Sequence, residues 1–372
     1  MDFSLNDEQQ AVQELFREFA AKEIIPVAEE LDREARYPRE IFEKVGELGF
    51  FGMRYPEPEG RGMDIFSYLL AVEELARGSL AVAAACTMQS LMGTFFVHRF
   101  AEGEVRERLL PAALAGARIG TICMTEPDAG SDLFSMTTRA EQHGDKWYVS
   151  GQKTWVTSAP VADYFTVFAR TEQKELSIFL VEKGAAGLVV GRAIEKMGVK
   201  ASLTSEVSFD DTPATCMLGE RGAGVPSLRE ILSEIRLMTA ALALGVARAA
   251  YEESLAYSKE RSQFGRPICR FQAVQMHIAD MRTDLEAARQ LTMAAAWRSQ
   301  QGHENTEQSA MAKLFASEAA LRVCDHAARI MASYGFATEY GIERYLRDVR
   351  FTLIGGGTSE ILKVNIAKGL IK

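Results

Sequence analysis

Four short stretches of this chain hold the residue types from which a ligand site could be assembled. One is Ile354-Gly355-Gly356-Gly357-Thr358-Ser359-Glu360, three glycines between an apolar run and a helix start. Lacking a Cβ, glycine lets backbone turn sharply or press close to a ligand. The Thr-Ser-Glu that follows sets hydroxyls at a helix N-terminus, where unpaired N–H groups suit an anion or a polar cofactor edge. A plain helix–loop–helix joint has the same composition. Met124-Thr125-Glu126-Pro127-Asp128-Ala129-Gly130-Ser131-Asp132 offers hydroxyl and backbone donors in one loop, or forms an ordinary polar turn. Trp155-Val156-Thr157-Ser158 could lay an indole against a flat ring, or bury it in a core. Arg261-Ser262-Gln263-Phe264-Gly265-Arg266-Pro267, with Phe271-Gln272 beyond, suits a ligand with phosphate and a ring. The same stretch also reads as a loop between helices with solvated arginines.

Bulk properties exclude several function classes. The 372 residues allow one large domain or two to three smaller ones, and 47% hydrophobic with 25% charged is ordinary for a globular chain. Lys+Arg 42 against Asp+Glu 51 leaves a net charge of -9, which disfavours nucleic-acid binding. Five scattered cysteines without C-x-x-C argue for free thiols in a reducing cytosol, hence a cytoplasmic protein. The five histidines show no metal-ligand spacing, so no metal is expected. Met1-Asp2-Phe3-Ser4-Leu5-Asn6-Asp7-Glu8 has no signal- or transit-peptide character, and the apolar runs suggest no membrane span.

The elements that must position these stretches fall into three blocks. Residues 1–119 read as helical: Asn6 with Gln9 forms a capping box, and Val12, Leu15, Phe16 and Phe19 share one helical face. Pro26 marks a bend, Gly49 a helix end, and Ala81–Phe100 a buried apolar helix. Residues 120–226 hold short aromatic and β-branched runs, among them 146–150, 153–157, 164–168, 177–181, 188–190 and 206–209, separated by turns. That is a small antiparallel sheet or barrel. Neither G-x-G-x-x-G nor a P-loop is present, which removes the main support for Rossmann and P-loop enzymes. Residues 227–372 return to long helical patterns over about 272–300, 307–334 and 359–370, as in an antiparallel bundle.

The four stretches, in this order and spacing, resemble the acyl-CoA dehydrogenase family across nearly the whole chain. Further residues carry the likeness: Gly151-Gln152-Lys153, Ala279-Asp280-Met281, Ala312-Lys313, and Glu343-Arg344 with Arg347-Asp348. The resemblance implies an α+β, mostly α fold: an N-terminal helical domain, a middle β-barrel and a C-terminal four-helix bundle. It implies non-covalent FAD, with Met124, Thr125, Trp155 and Thr157 at the flavin edge and Thr358 and Glu360 close by. Arg261, Gln263, Phe264 and Gln272 would face the pyrophosphate and adenosine part across a subunit boundary in a homo-oligomer, dimer or tetramer. Ser131 and Arg236 would flank the acyl-CoA thioester, and an electron-transfer flavoprotein would accept the electrons.

The chain departs from that pattern at the chemistry itself. The family's reaction removes a proton α to the thioester while a hydride leaves the β carbon for the flavin. A positioned base and thioester polarisation are therefore both needed. The resemblance places the base either just before the last loop's Gly-Thr or just before Arg236. Here those residues are Gly356 and Ile235. The backbone N–H of Gly356 can still polarise a thioester oxygen. Glu234 is the nearest acid, one residue and about 100° of helix away. Near Tyr334 the family's Gln and Gly-Gly give way to Arg329 and, through Met331-Ala332, Ser333, which would meet the dinucleotide differently. The family pattern favours a dehydrogenase with a displaced or unusual base, with a non-oxidative acyl-CoA lyase such as a desulfinase and a non-catalytic subunit of a hetero-oligomer as the alternatives.

Overall fold

The structure is a computed structural model that describes residues 4–172 and 175–371, so Met1, Asp2 and Phe3 of the N-terminal stretch lie outside it. Seven helices come first: α1 (Asp7–Phe19), α2 (Ala28–Glu34), α3 (Arg39–Glu47), α4 (Ile65–Gly78), α5 (Leu80–Thr87), α6 (Thr94–Phe100) and α7 (Gly103–Leu114). The capping box forms, with Gln9 N–H donating to Asn6 Oδ1 at 2.8 Å and Asn6 N–H to Gln9 Oε1 at 3.1 Å. Val12 and Phe16 are buried as the pattern expects, whereas Leu15 faces solvent. A wider turn over Met88–Gly93 joins α5 to α6. Leu80–Phe100 is long and apolar enough to cross a membrane by composition, but 83% of its most apolar window is buried inside this structure.

Eight strands follow: β1 (Gly120–Cys123), β2 (Arg139–His143), β3 (Lys146–Thr157), β4 (Tyr164–Glu172), β5 (Glu175–Glu182), β6 (Leu188–Ala193), β7 (Thr204–Pro213) and β8 (Cys216–Met217). They pair in the order β6-β7-β3-β2-β4-β5-β8, with β1 added parallel to β4. This corrects the barrel expectation. The path ends at β6 and β8, which do not pair with each other, and β2 also meets β4 in parallel. The sheet is mixed, since β1 and β2 each meet β4 in parallel, the latter where Arg139 lies opposite Arg170. Two runs read separately in the sequence, 146–150 and 153–157, are one strand. The Ser150–Gly151 break is a bulge, where Gly151 takes φ 147° against β7. The sheet's own apolar core is built from Val149, Phe165, Val167, Phe179, Val181 and Val207.

The C-terminal helices are α8 (Gly224–Glu260), α9 (Gln272–Gln300), α10 (Thr306–Met331), α11 (Gly341–Val349) and α12 (Ser359–Leu370). A short hairpin, β9 (Ser262–Gln263) with β10 (Arg266–Pro267), lies between α8 and α9. One continuous core joins these helices to the N-terminal ones, running through Leu75, Val82, Leu242, Val246, Ala320 and Val323. Ala and Gly dominate the middle of α8, which lets α4 approach it closely: a Cβ at Gly245 would run into the Glu73 carbonyl oxygen. That close packing fixes the face of α8 on which the glycine loop rests.

Candidate active site

The loop from Ile354 to Gly357 is held from below by α10. Lys313 Nζ donates to Gly357 O at 2.6 Å, and Ser317 Oγ to Thr352 O at 2.9 Å. Burial pulls the Lys313 ammonium down to about 8, with the nearby Arg236 charge acting in the same sense. Thr358 caps α12 by accepting from the Ile361 N–H at 3.3 Å. Between these anchors the backbone runs left-handed, with φ 71° at Gly356 and 104° at Gly357. Glycine is the residue that adopts this region without strain. The Gly356 N–H donates to no group among the described residues.

The hole at Gly356 is bounded by α8. A side chain begun there would set its Cβ 3.0 Å from Thr239 Oγ1 and 3.7 Å from Ile235 Cγ2. Ile235 and Thr239 stand one turn apart, and the Thr239 hydroxyl is already committed to Ile235 O at 2.8 Å. The two positions at which the resemblance expects a base therefore converge on one spot, and neither carries a carboxylate. Ile235 is buried there, and the nearest polar atom to the spot is the Thr239 hydroxyl oxygen.

The residues on either side of Ile235 have different partners. Glu234 makes an ion pair with Arg54 Nη1 from the loop after α3. Arg54 also lies 6.0 Å over the Tyr68 ring, and its Nε is buried without a partner. Tyr68 Oη and Ser90 Oγ are 2.7 Å apart, as are Tyr55 Oη and Thr94 Oγ1. Arg236 is buried, with Nη1 donating to Thr306 O at 3.1 Å and Nε unpartnered. Burial without a carboxylate pushes the Arg236 guanidinium down. Met88, Met92 and Phe95 are half-buried, and so are Leu228 and Leu232 of α8. The Arg99–Glu230 pair, at 3.4 Å, bridges α6 to α8 one turn from Glu234.

A second rim forms where the 124–132 loop meets β3. Thr154 N–H donates to Thr125 O at 2.9 Å, and Lys153 Nζ to Met124 O at 3.0 Å. Glu126 takes no part as a base. Burial alone would raise its carboxyl, but the Lys153 ammonium and the Thr137 and Thr138 groups outweigh it and hold it at about 2. The contacts are Lys153 Nζ at 2.8 Å and the Thr137 and Thr138 amides at 2.6 and 3.0 Å. Trp155 breaks the strand with φ 56° and stands 58% exposed, with half-buried Met124, Thr125 and Thr157 around it. An exposed indole face flanked by hydroxyls and free backbone fits the ring system of a flavin. Ser131 is exposed in the loop, and Asp132 turns back to cap the short helix over Leu133–Ser135.

The remaining candidates sit apart from these two rims. Arg261, Gln263, Phe264 and Gln272 are exposed on and after the β9–β10 hairpin, with Phe264 at 94%. The Arg261 guanidinium lies 5.8 Å over Tyr334, beside exposed Ser333, and Arg329 pairs with Asp325 at 2.7 Å. Among the described residues none of this group bonds to residues 354–360. Thr239 and Arg54 were missed in the sequence. Thr239 had one usable signal, its place four residues after Ile235 on the same helical face. Arg54 had none, because its partner is 180 positions away.

Three family models match: acyl-CoA dehydrogenase N-terminal domain over residues 6–117, middle domain over 121–212 and C-terminal domain over 222–371. The chain is 54% identical to benzylmalonyl-CoA dehydrogenase of Aromatoleum aromaticum, over 99% of each chain. It is 37% identical to a 3-(aryl)acrylate reductase of Clostridium sporogenes, over 98% of this chain and 99% of that one. The solved structure of butyryl-CoA dehydrogenase from Megasphaera elsdenii superposes with a TM-score of 0.96 at 34% identity, covering 100% of both chains.

Proposed function

The chain belongs to the acyl-CoA dehydrogenase family, a family of FAD-dependent enzymes, and on that premise we propose that it desaturates a 2-carboxyacyl-CoA with loss of CO2. The observation that carries this reading is the convergence of Gly356 and Ile235 on one spot that holds no carboxylate. A plain saturated thioester needs a base there, because its α proton is weakly acidic. A malonyl-type thioester, the kind named for the Aromatoleum relative, carries a carboxylate on the α carbon. Breaking the bond from the α carbon to that carboxylate leaves the electron pair on the α carbon and releases CO2. The β carbon then gives up a hydride and the 2-enoyl thioester results, so atoms and charge balance without any protein base.

The residues suit each part of this chemistry. The free Gly356 N–H supplies a donor for the thioester oxygen as enolate charge develops there. Buried Ile235 gives the carboxylate a poorly solvating neighbour, and the one hydroxyl there, Thr239 Oγ1, already donates to Ile235 O, so little opposes loss of neutral CO2. Met124, Thr125, Trp155 and Thr157 would hold the flavin, which when bound supplies the two-electron acceptor for the hydride. The exposed Phe264 hairpin supports a second copy covering the dinucleotide end, and an electron-transfer flavoprotein remains the acceptor class this reading uses.

The test is anaerobic. Enzyme is mixed with benzylmalonyl-CoA and, separately, with 3-phenylpropionyl-CoA, and flavin bleaching, CO2 and enoyl thioester are measured. We expect one CO2 per flavin reduced with the first and no bleaching with the second. Equal bleaching by both thioesters overturns the proposal. CO2 release with the flavin left oxidised would make the chain a non-oxidative lyase instead.

A further inference from the structure

Resting on that decarboxylating reading, we propose that Arg54 is the residue that selects a carboxylated substrate, and that Glu234 limits how tightly it does so. Among the charged side chains described above, Arg54 reaches the flank of Ile235 from the N-terminal helices, through Glu234. Its guanidinium is part-buried, packed over Tyr68, with Nη1 given to Glu234 and a buried Nε that donates to nothing. Leaving a buried donor of a charged group unmatched is costly, and an acceptor brought by a ligand would remove that cost. Guanidinium presents its donors in a planar fork matched to a carboxylate. An anion at the spot by Gly356 and Ile235 would be one residue along α8 from the Glu234 end of this pair.

Glu234 gives the arrangement its chemical sense. A cation alone would stabilise the substrate carboxylate and slow its loss as CO2. A guanidinium already half neutralised by Glu234 binds the anion only moderately, and the Glu234 charge repels it. Loss of CO2 relieves that repulsion, so the strain is present in the ground state and gone from the transition state. The half-buried Met88, Met92 and Phe95 offer apolar surface for the rest of the acyl group, consistent with an aryl substituent.

The experiment compares binding and turnover in the flavin-loaded enzyme and in Arg54→Met, Arg54→Lys and Glu234→Gln. Dissociation constants for benzylmalonyl-CoA and 3-phenylpropionyl-CoA are read from the flavin spectrum. Arg54→Met should weaken the carboxylated thioester by about 10- to 100-fold and leave the uncarboxylated one unchanged. Arg54→Lys keeps the charge and should recover part of the loss. Glu234→Gln should act in the opposite direction, tightening the carboxylated thioester while lowering the rate of CO2 release. Equal weakening of both thioesters, or no weakening at all, overturns the assignment, and so does a Glu234→Gln variant that binds the carboxylated ligand less well. The two proposals fail separately. A wild-type enzyme that prefers the carboxylated thioester through Arg54 yet releases no CO2 would sink the decarboxylating function and leave the recognition standing. CO2 release indifferent to Arg54 would do the reverse.

Discussion

In the proposed reading, glycine at 356 leaves the reaction centre without a side chain in a place where two different positions could have supplied one. Restoring a carboxylate at either should create the activity that the hole denies. Gly356→Glu meets two obstacles, the left-handed backbone at φ 71° and Thr239 Oγ1 at 3.0 Å from the new Cβ. The first costs about 1 kcal/mol. The second yields, because the Thr239 hydroxyl holds only the Ile235 carbonyl of its own helix. Ile235→Glu meets neither obstacle, since it lies within helix α8, and burial there should raise its carboxyl toward the range of a working base. Each variant is expected to be bleached under argon by 3-phenylpropionyl-CoA, with a gain in rate of about 10²–10⁴ over the parent enzyme. If neither variant, with its full flavin content, is reduced by any uncarboxylated thioester, the hole is not where the α carbon sits. Both positions could be found in the sequence only through the family pattern. That they share one hole with Thr239 could not, because it depends on how the 354–357 loop lands on α8.

At the scale of elements, the loop hangs between a helix cap and a buried lysine. The sequence showed the cap: Thr358-Ser359-Glu360 before Ile361 and Leu362 is a helix start by residue type, and α12 begins there. It did not show Lys313, whose use as a donor to Gly357 O depends on two segments meeting across 44 positions. The same division runs through the fold. Helices set by local caps and periodicity, such as α1 with Asn6 and Gln9, were legible, as were the last three long helical runs. The longer strands β3 to β7 were read as separate runs, but β1, β2 and β8 were not, and neither was the open edge between β6 and β8, because pairing is non-local. Thr358 has two readings that one variant separates. As a cap alone, Thr358→Ala should lower stability in urea by about 1 kcal/mol and leave flavin affinity as it was. Flavin lost at unchanged stability would instead make the hydroxyl a cofactor contact, as the family resemblance implies.

The molecule as a whole is joined at α11, where all three parts of the chain meet. Arg347 Nη2 donates to Asp32 of α2 at 2.7 Å, and Nη1 to Met197 O at 3.1 Å, beside the sheet. Next to it, Asp348 is buried and accepts the Val199 N–H at 2.5 Å. Burial pushes the Asp348 carboxyl up to about 6, against the pull of the Val199 amide and of Arg344 and Arg347, with Asp32 adding to the rise. A carboxyl raised on folding binds a proton more readily in the native state. Its contribution to stability is therefore present below the ordinary aspartate value near 3.8 and is lost as pH rises through about 6. A rise of roughly two units corresponds to about 3 kcal/mol. Asp348→Asn keeps the oxygen that accepts from Val199 and removes the titration. Urea unfolding of both proteins at pH 4 and pH 7 isolates this group, because every other carboxylate is common to them. Part of this is already lost by pH 4, so the wild type should lose about 2 kcal/mol relative to the Asn variant between the two pH values. A constant gap would mean that Asp348 is ionised throughout at no cost, with Arg344 and Arg347 compensating its burial in full. In that case the α11 junction would hold the three parts together equally at either pH.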